Sequence, residues 1–348
     1  MAELSRDGDD VGASARAAWA GFRLPRWVKA AAVLCIGFGL LVAVIGWLVG
    51  VPLASPNERV NLALGLNAGV PVLLGFVAYV LAQGINMAVT RRFEIARIGR
   101  AAAVDATVFA SFVLVMYFHF NLKMWVPLVN PLRFDEAYMV TDRWLEPVIA
   151  LFRAIRGLAP AGWAWFDHLY QLGFVLMFVL SFAVLAVSRD RHYPHFVLGI
   201  MLVMIIGGLA YLVAPAVGPF LFEDGMNAAA TAAQAGMWRV YGTVVAEGAP
   251  WIAANGSDYF TGALAAMPSL HIAHAAVMTW YMHRSRLIVR WPFLVILLFI
   301  LIESVVSRWH YLIDAPAGLM VAAAAILIAN RICDPEADKS PQTSENSQ

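Results

Sequence analysis

Charge is what this chain has least of. Only 14% of its residues are Asp, Glu, Lys or Arg, 61% are hydrophobic, and the mean hydropathy is +0.71. A soluble domain is about a quarter charged and about half apolar, so an ordinary water-soluble fold is excluded and an integral membrane protein is expected. Net charge is +1, and no basic block interleaved with aromatics occurs, which argues against nucleic acid as a partner. Cysteine is nearly absent: Cys35 and Cys333 have no ligand-like spacing and suggest neither a metal site nor a disulfide framework. No internal repeat is visible, and the closing residues match no retention or lipidation signal.

What the chain does have is long apolar runs. Crossing ~30 Å of hydrocarbon takes about 20 apolar residues. Eight segments meet or approach this: Trp27–Val51, Val60–Val89, Ala101–Phe120, Leu169–Ser188, His195–Val217, Pro268–His283, Ile288–Val306 and His310–Ile332. The first is too long for a signal-peptide core and reads as a retained anchor. The sixth is short, so its outer end is expected to lie in protein rather than lipid. The fold class expected is all-α, a polytopic membrane helix bundle with interfacial helices in two long outer loops. Residues 1–26 form a polar, disordered cytosolic start, 27–100 two transmembrane helices, 101–333 a catalytic membrane domain, and 334–348 a disordered cytosolic tail.

Basic residues orient the bundle. With the N-terminus in the cytosol, the inner segments collect Arg6, Arg16, Arg23, Arg26 and Lys29, then Arg91, Arg92, Arg97 and Arg100, then Arg189 and Arg191, then Arg284, Arg286 and Arg290, with Arg331 and Lys339 at the end. The positive-inside rule therefore puts both termini in the cytosol. His271 and His310 then fall at the outer ends of the sixth and eighth segments, on the extracytoplasmic side of a cell or inner membrane.

Two outer loops are long. In Asn121–His168, Leu145, Val148, Ile149 and Phe152 recur at helical spacing, with Trp125, Trp144, Trp163 and Trp165 nearby. An interfacial amphipathic helix and a packed cap over the bundle both account for this. The second loop, Gly218–Met267, carries Trp238, Tyr241, Trp251, Tyr259 and Phe260 and is expected to form another cover at headgroup level.

Two polar motifs interrupt the apolar pattern: Pro268-Ser269-Leu270-His271, and Arg308-Trp309-His310-Tyr311-Leu312-Ile313-Asp314. One helical hairpin separates them, so both histidines reach the same membrane face. His310 and Asp314 are one helical turn apart, close enough for the carboxylate to hold one ring nitrogen and leave the other as a nucleophile. Phosphorus is the natural electrophile, through a phosphohistidine. His271 is placed to serve as general acid, Arg308 offers a planar donor fork, and the Pro268-Ser269 helix start offers free N–H groups for phosphate.

A lone histidine at a helix end is more often an interfacial anchor than a catalyst. Asp314 weighs against that, because an ionisable residue in a spanning segment costs about 2.5–3.5 kcal/mol and usually has a functional reason. His274 is better explained by packing; His192, His195 and His283 are expected to be solvated, and His119 and His168 to lie near the outer surface as accessory groups at most. A proton-coupled transporter would need ionisable residues at mid-bilayer, and none stands out. A metal site would have only His310, Asp314 and His271, a bare set of three.

Ala266–Ala273 resembles the second signature of the type 2 phosphatidic acid phosphatase superfamily, and Ser307–Gly318 its third. The close Arg308-x-His310 spacing, and the run from His310-Tyr311 through Asp314 to Gly318, resemble the branch of inositol phosphorylceramide synthase-like and sphingomyelin synthase-like proteins. Val213–Phe220 occupies the place of that branch's Pro-rich stretch, and Asp135 and Asp142 are similar to paired positions in its long outer loop. The first superfamily signature, a Lys followed by Arg-Pro, is absent, which leaves Lys123 and Arg239 as candidates for the far side of the phosphate.

The resemblance covers the last two-thirds of the chain. It implies a nucleophilic His310, a supporting Asp314, His271 as acid or base, and catalysis without metal or other cofactor. The expected activity is head-group transfer from a lipid phosphate donor to a lipid or polyol alcohol. Hydrolysis of a lipid phosphate or polyprenyl pyrophosphate, with water as acceptor, is the alternative.

Overall fold

The computed structural model describes residues 22–57, 77, 81, 84–85, 95–159, 168–188, 190–260 and 266–334. Ten α-helices and no strand occur among them: α1 Arg26–Val49, α2 Ile95–Val129, α3 Asp135–Trp144, α4 Glu146–Gly157, α5 Leu169–Val187, α6 Tyr193–Ala210, α7 Ala228–Asn255, α8 Leu270–Arg284, α9 Arg290–Val306 and α10 Asp314–Cys333. Most of the expected span Val60–Val89, with Trp163, Trp165 and both chain ends, lies outside the described residues.

Among the described residues, four helical stretches are long and apolar enough to cross a membrane: Arg26–Val49, Ala103–Val129, Tyr193–Ala210 and Asp314–Cys333. α8 has 15 residues and α9 has 17, short of a full span by length, and both are packed within the bundle.

α6 is the central pillar. It is apolar on every face, and His195 through Met204 are all buried, the pattern of a helix surrounded by others. It packs on α10, α8, α2, α1 and α5. A Cβ on Gly207 would fall 2.2 Å from the Leu270 side chain, so the glycine sets how closely α6 approaches the start of α8.

The two long loops are largely helical. α2 continues past Phe120 to Val129 because Leu122, Met124, Trp125 and Val126 are buried. Asn121, whose polarity suggested a loop, donates to the carbonyls of Tyr117 and Ala54 and accepts from the Ala54 N–H at 2.8 Å. The single amphipathic helix expected near Asp142–Arg153 is two helices, broken at Leu145 just before Pro147. α4 packs as a cap on α9 through the fully buried Ile149, whereas Val148, Leu151 and Ile155 are exposed. The second loop contains α7, 28 residues long and kinked at Gly248 before Pro250. Trp238 and Tyr259 remain exposed there.

Candidate active site

The two motifs meet through their backbones. The Ser269 N–H donates to the Asp314 carbonyl at 3.3 Å, which sets the N-termini of α8 and α10 side by side. The close approach depends on Gly318, one turn into α10: a Cβ there would stand 2.4 Å from the Ser269 carbonyl oxygen.

His310 is not on the helix that bears Asp314, as strict helical spacing had implied. It lies in the turn between α9 and α10, and Asp314 is the first residue of α10. The pairing forms nonetheless. His310 Nδ1 meets Asp314 Oδ2 at 3.0 Å, and the same oxygen accepts the Tyr311 N–H at 3.1 Å. An acceptor at Nδ1 fixes the proton there and leaves Nε2 as the lone-pair nitrogen. Asp314 is fully buried and His310 is 7% exposed.

His271, the second residue of α8, turns its ring towards His310, with centroids 6.4 Å apart and planes at 62°. Phe174 at 4.5 Å and Tyr170 at 5.2 Å, both from α5, hold that ring from behind. The Ser269 hydroxyl is buried and has no hydrogen-bond partner.

Arg308 sits in the left-handed region, φ 59°, a conformation unfavourable for a side chain with a Cβ and retained only where surroundings enforce it. Its guanidinium is buried between two carboxylates, Asp142 at 3.1 Å and Glu223 at 2.8 Å. The Asp142 contact is an ion pair without an aligned hydrogen bond, and Arg308 Nε has no partner. Glu223 also binds Arg153 at 3.0 Å, which ties α4 to the site turn.

α3 is the element that sequence reasoning underused. Asp135, Tyr138, Met139 and Asp142 share one face at helical spacing, and that face points inward. Asp135 accepts the N–H groups of Val217 and Gly218 at 2.9 and 3.0 Å and the Tyr311 hydroxyl at 2.9 Å. Tyr138 donates to the Ala214 carbonyl, Met139 Sδ lies 3.7 Å from Arg308, and Asp142 accepts the Leu312 N–H at 2.8 Å. Burial raises the Asp142 carboxyl above its ordinary range, although the Leu312 N–H and Arg308 pull it down. Trp144 and Val140 on the other side are exposed. The helix turns both of its aspartates inward and leaves Val140 and Trp144 exposed beside Glu136 and Arg143.

The segment 216–226 fastens the turn from outside. Phe220 N–H donates to the Arg308 carbonyl, Met226 N–H to Val306, and Ala266 N–H to Ala216. The Gln234 side chain of α7 donates to the Ser307 carbonyl at 2.8 Å. Glu223 and Gln234 carried no motif signal; Tyr311 stood inside the third motif without a role, and beyond the resemblance at Asp135 and Asp142 only the i, i+3, i+4, i+7 spacing of 135, 138, 139 and 142 was available in the sequence.

The remaining histidines divide. His274 is buried against Phe174 and Phe178 with Nδ1 on the Leu270 carbonyl, a packing role. His119 is buried rather than superficial, Nδ1 2.8 Å from the Met204 carbonyl. His192 and His195 are buried as well, not solvated as expected. Lys123 is near enough to act electrostatically on His271, whereas Arg239 is exposed on α7. Among the described residues no three His, Cys, Asp or Glu side chains gather as a metal-ligand set.

A buried imidazole held by a carboxylate thus faces a second imidazole where two helix starts meet inside an apolar bundle. The sequence model of the PAP2 superfamily matches residues 139–328, more than half of the chain, and the protein belongs to that superfamily. Its members are generally phosphatases and phosphotransferases acting on lipid phosphates in membranes. A search of the curated proteins finds no match. A search of the solved structures finds none either.

Proposed function

We propose that the protein transfers a phosphorylated head group between lipids through a phosphohistidine on His310, in the manner of the inositol phosphorylceramide synthase-like branch. The observation that carries this is the His310–Asp314 contact at 3.0 Å, with the His271 ring 6.4 Å from that of His310. Nε2 of His310 attacks phosphorus, the phosphorus–oxygen bond to the donor breaks, and His271 gives a proton to the departing oxygen. A lipid or polyol alcohol then attacks the phosphohistidine. His271 takes the alcohol's proton, the phosphorus–nitrogen bond breaks, and His310 is restored.

Ser269 and Arg308 bind the phosphate in this reading. The Ser269 hydroxyl and Arg308 Nε are buried polar groups without partners, a costly condition that a phosphate oxygen would relieve. Asp142 and Glu223 hold the rest of the Arg308 fork, so the charge is delivered from a fixed frame. The first turn of α8 adds N–H groups and the positive end of its dipole. The near-complete burial of His310 and the short Arg308-x-His310 spacing favour an alcohol over water as acceptor. Hydrolysis of a lipid phosphate is the second reading. With both termini cytosolic, as the basic residues indicate, the site opens on the extracytoplasmic side.

The test supplies purified wild type and His310→Ala with labelled phospholipid, with and without ceramide, diacylglycerol or inositol, and identifies products by mass. Head-group transfer to an added alcohol, absent in His310→Ala, is expected. Phosphate release alone selects hydrolysis, and full activity of His310→Ala removes the mechanism.

A further inference from the structure

At the end of the bundle opposite His310, a half-open cleft of about 550 Å³ lies where the start of α6 meets the ends of α8 and α10. Along α10 the separation from Asp314 to Arg331 is about 25 Å at the usual rise per residue, so the two sites are distinct. Arg191, Arg284 and Arg331 line this cavity, and none of them has an ion-pair partner among the described residues. One lining carboxylate, Asp334, stands against the three.

His195 is the second observation. It is 7% exposed and lines the cavity, with Nε2 on Asp334 at 2.8 Å and Nδ1 without any partner. The unpartnered Nδ1 leaves a buried polar atom at this site, and the three arginines facing a single lining carboxylate suit an anion.

The size and rim point to what carries the anion. The volume lies in the range of small-ligand pockets, about 300–1,000 Å³, and is far larger than an inorganic phosphate needs. Trp280 lines it and is 45% exposed, and Trp291 and Ile288 are exposed at the same end of the bundle. Exposed indole beside arginine at a helix end is the signature of the headgroup layer. Basic pockets between membrane helices take phosphorylated lipid head groups. We propose that this cavity binds the phosphate of an anionic lipid head group in the leaflet opposite the catalytic site, a binding site separate from the reaction at His310.

The experiment uses the full chain released from detergent in a mass spectrometer, titrated with dioleoyl phosphatidylglycerol, with dioleoyl phosphatidylcholine, or with inorganic phosphate. Lipid held near His310 is common to wild type and to Arg284→Gln/Arg331→Gln and cancels in the comparison. Wild type is expected to retain one phosphatidylglycerol at least tenfold more tightly than the double variant, with no such difference for phosphatidylcholine. Phosphate that displaces the lipid at millimolar concentration makes the site a general phosphate site, and phosphate without effect assigns it to the lipid. Equal retention of phosphatidylglycerol by both proteins overturns the proposal. Asp334→Asn removes the opposing carboxylate and is expected to tighten binding; unchanged or weaker binding in that variant contradicts the site even if the double variant fails to fold.

Discussion

Arg308 and Asp142 form an ion pair at 3.1 Å with both side chains 1% exposed, and it joins the site turn to the inward face of α3. Removing one member of a buried pair strands the other charge and costs about 3–5 kcal/mol. Arg308→Ala is therefore expected to destabilise the protein by about that amount in detergent unfolding. Arg308→Ala combined with Asp142→Asn should recover part of the loss. Additive losses in the double variant would show that the two groups act independently.

The same carboxyl gives a pH dependence with a definite sign. Burial raises Asp142 above the ordinary carboxylate range, so between that range and its raised value the folded protein binds more protons than the unfolded chain. Its contribution to stability is present at low pH and lost as pH rises through the folded value. Asp142→Asn does not titrate. The wild type should gain thermal stability relative to Asp142→Asn as pH falls from neutral towards the usual carboxylate range, and a gap moving the other way would contradict the assignment.

Gly318 controls the approach of α10 to α8, since a Cβ there would meet the Ser269 carbonyl at 2.4 Å. Gly318→Ala is expected to push the two motifs apart and abolish activity. Gly236, in α7, has nothing within 4 Å of a built Cβ. Gly236→Ala should keep activity and gain up to about 1 kcal/mol from helix propensity. Turnover and unfolding midpoint of the two variants give the comparison.

Asp314 holds Nδ1 of His310, so Asp314→Asn should leave the fold and lose the tautomer. Loss of the equivalent carboxylate beside a catalytic imidazole costs about 10⁴ in rate. The loss should fall on kcat rather than KM, because the carboxylate faces the ring and not the lipid. A change confined to KM would make Asp314 a binding residue.

Much of this was legible in the chain before any coordinates. Helical period and hydropathy located the apolar helices around both motifs, and the motif residues His271, His310 and Asp314 come together as expected. Three things were not legible. The turn bearing His310 reads as helix because the four-residue spacing of His310 and Asp314 matches one helical turn, and only the left-handed Arg308 reveals the break. α3 hides because it is inverted, with carboxylates inward and Trp144 outward, against the pattern by which amphipathic helices are recognised. Glu223 and Gln234 act through contacts distant in sequence, which composition and spacing do not register.

The central claim is a covalent phosphoryl group on His310. The purified protein is mixed with a donor lipid carrying ³²P in its head group, quenched in alkali within the first turnover, digested and mapped. The account predicts label on the peptide containing His310, stable to alkali and released by acid, and none in His310→Ala. Label on another residue, or turnover without any labelled protein while His310→Ala stays active, would contradict it.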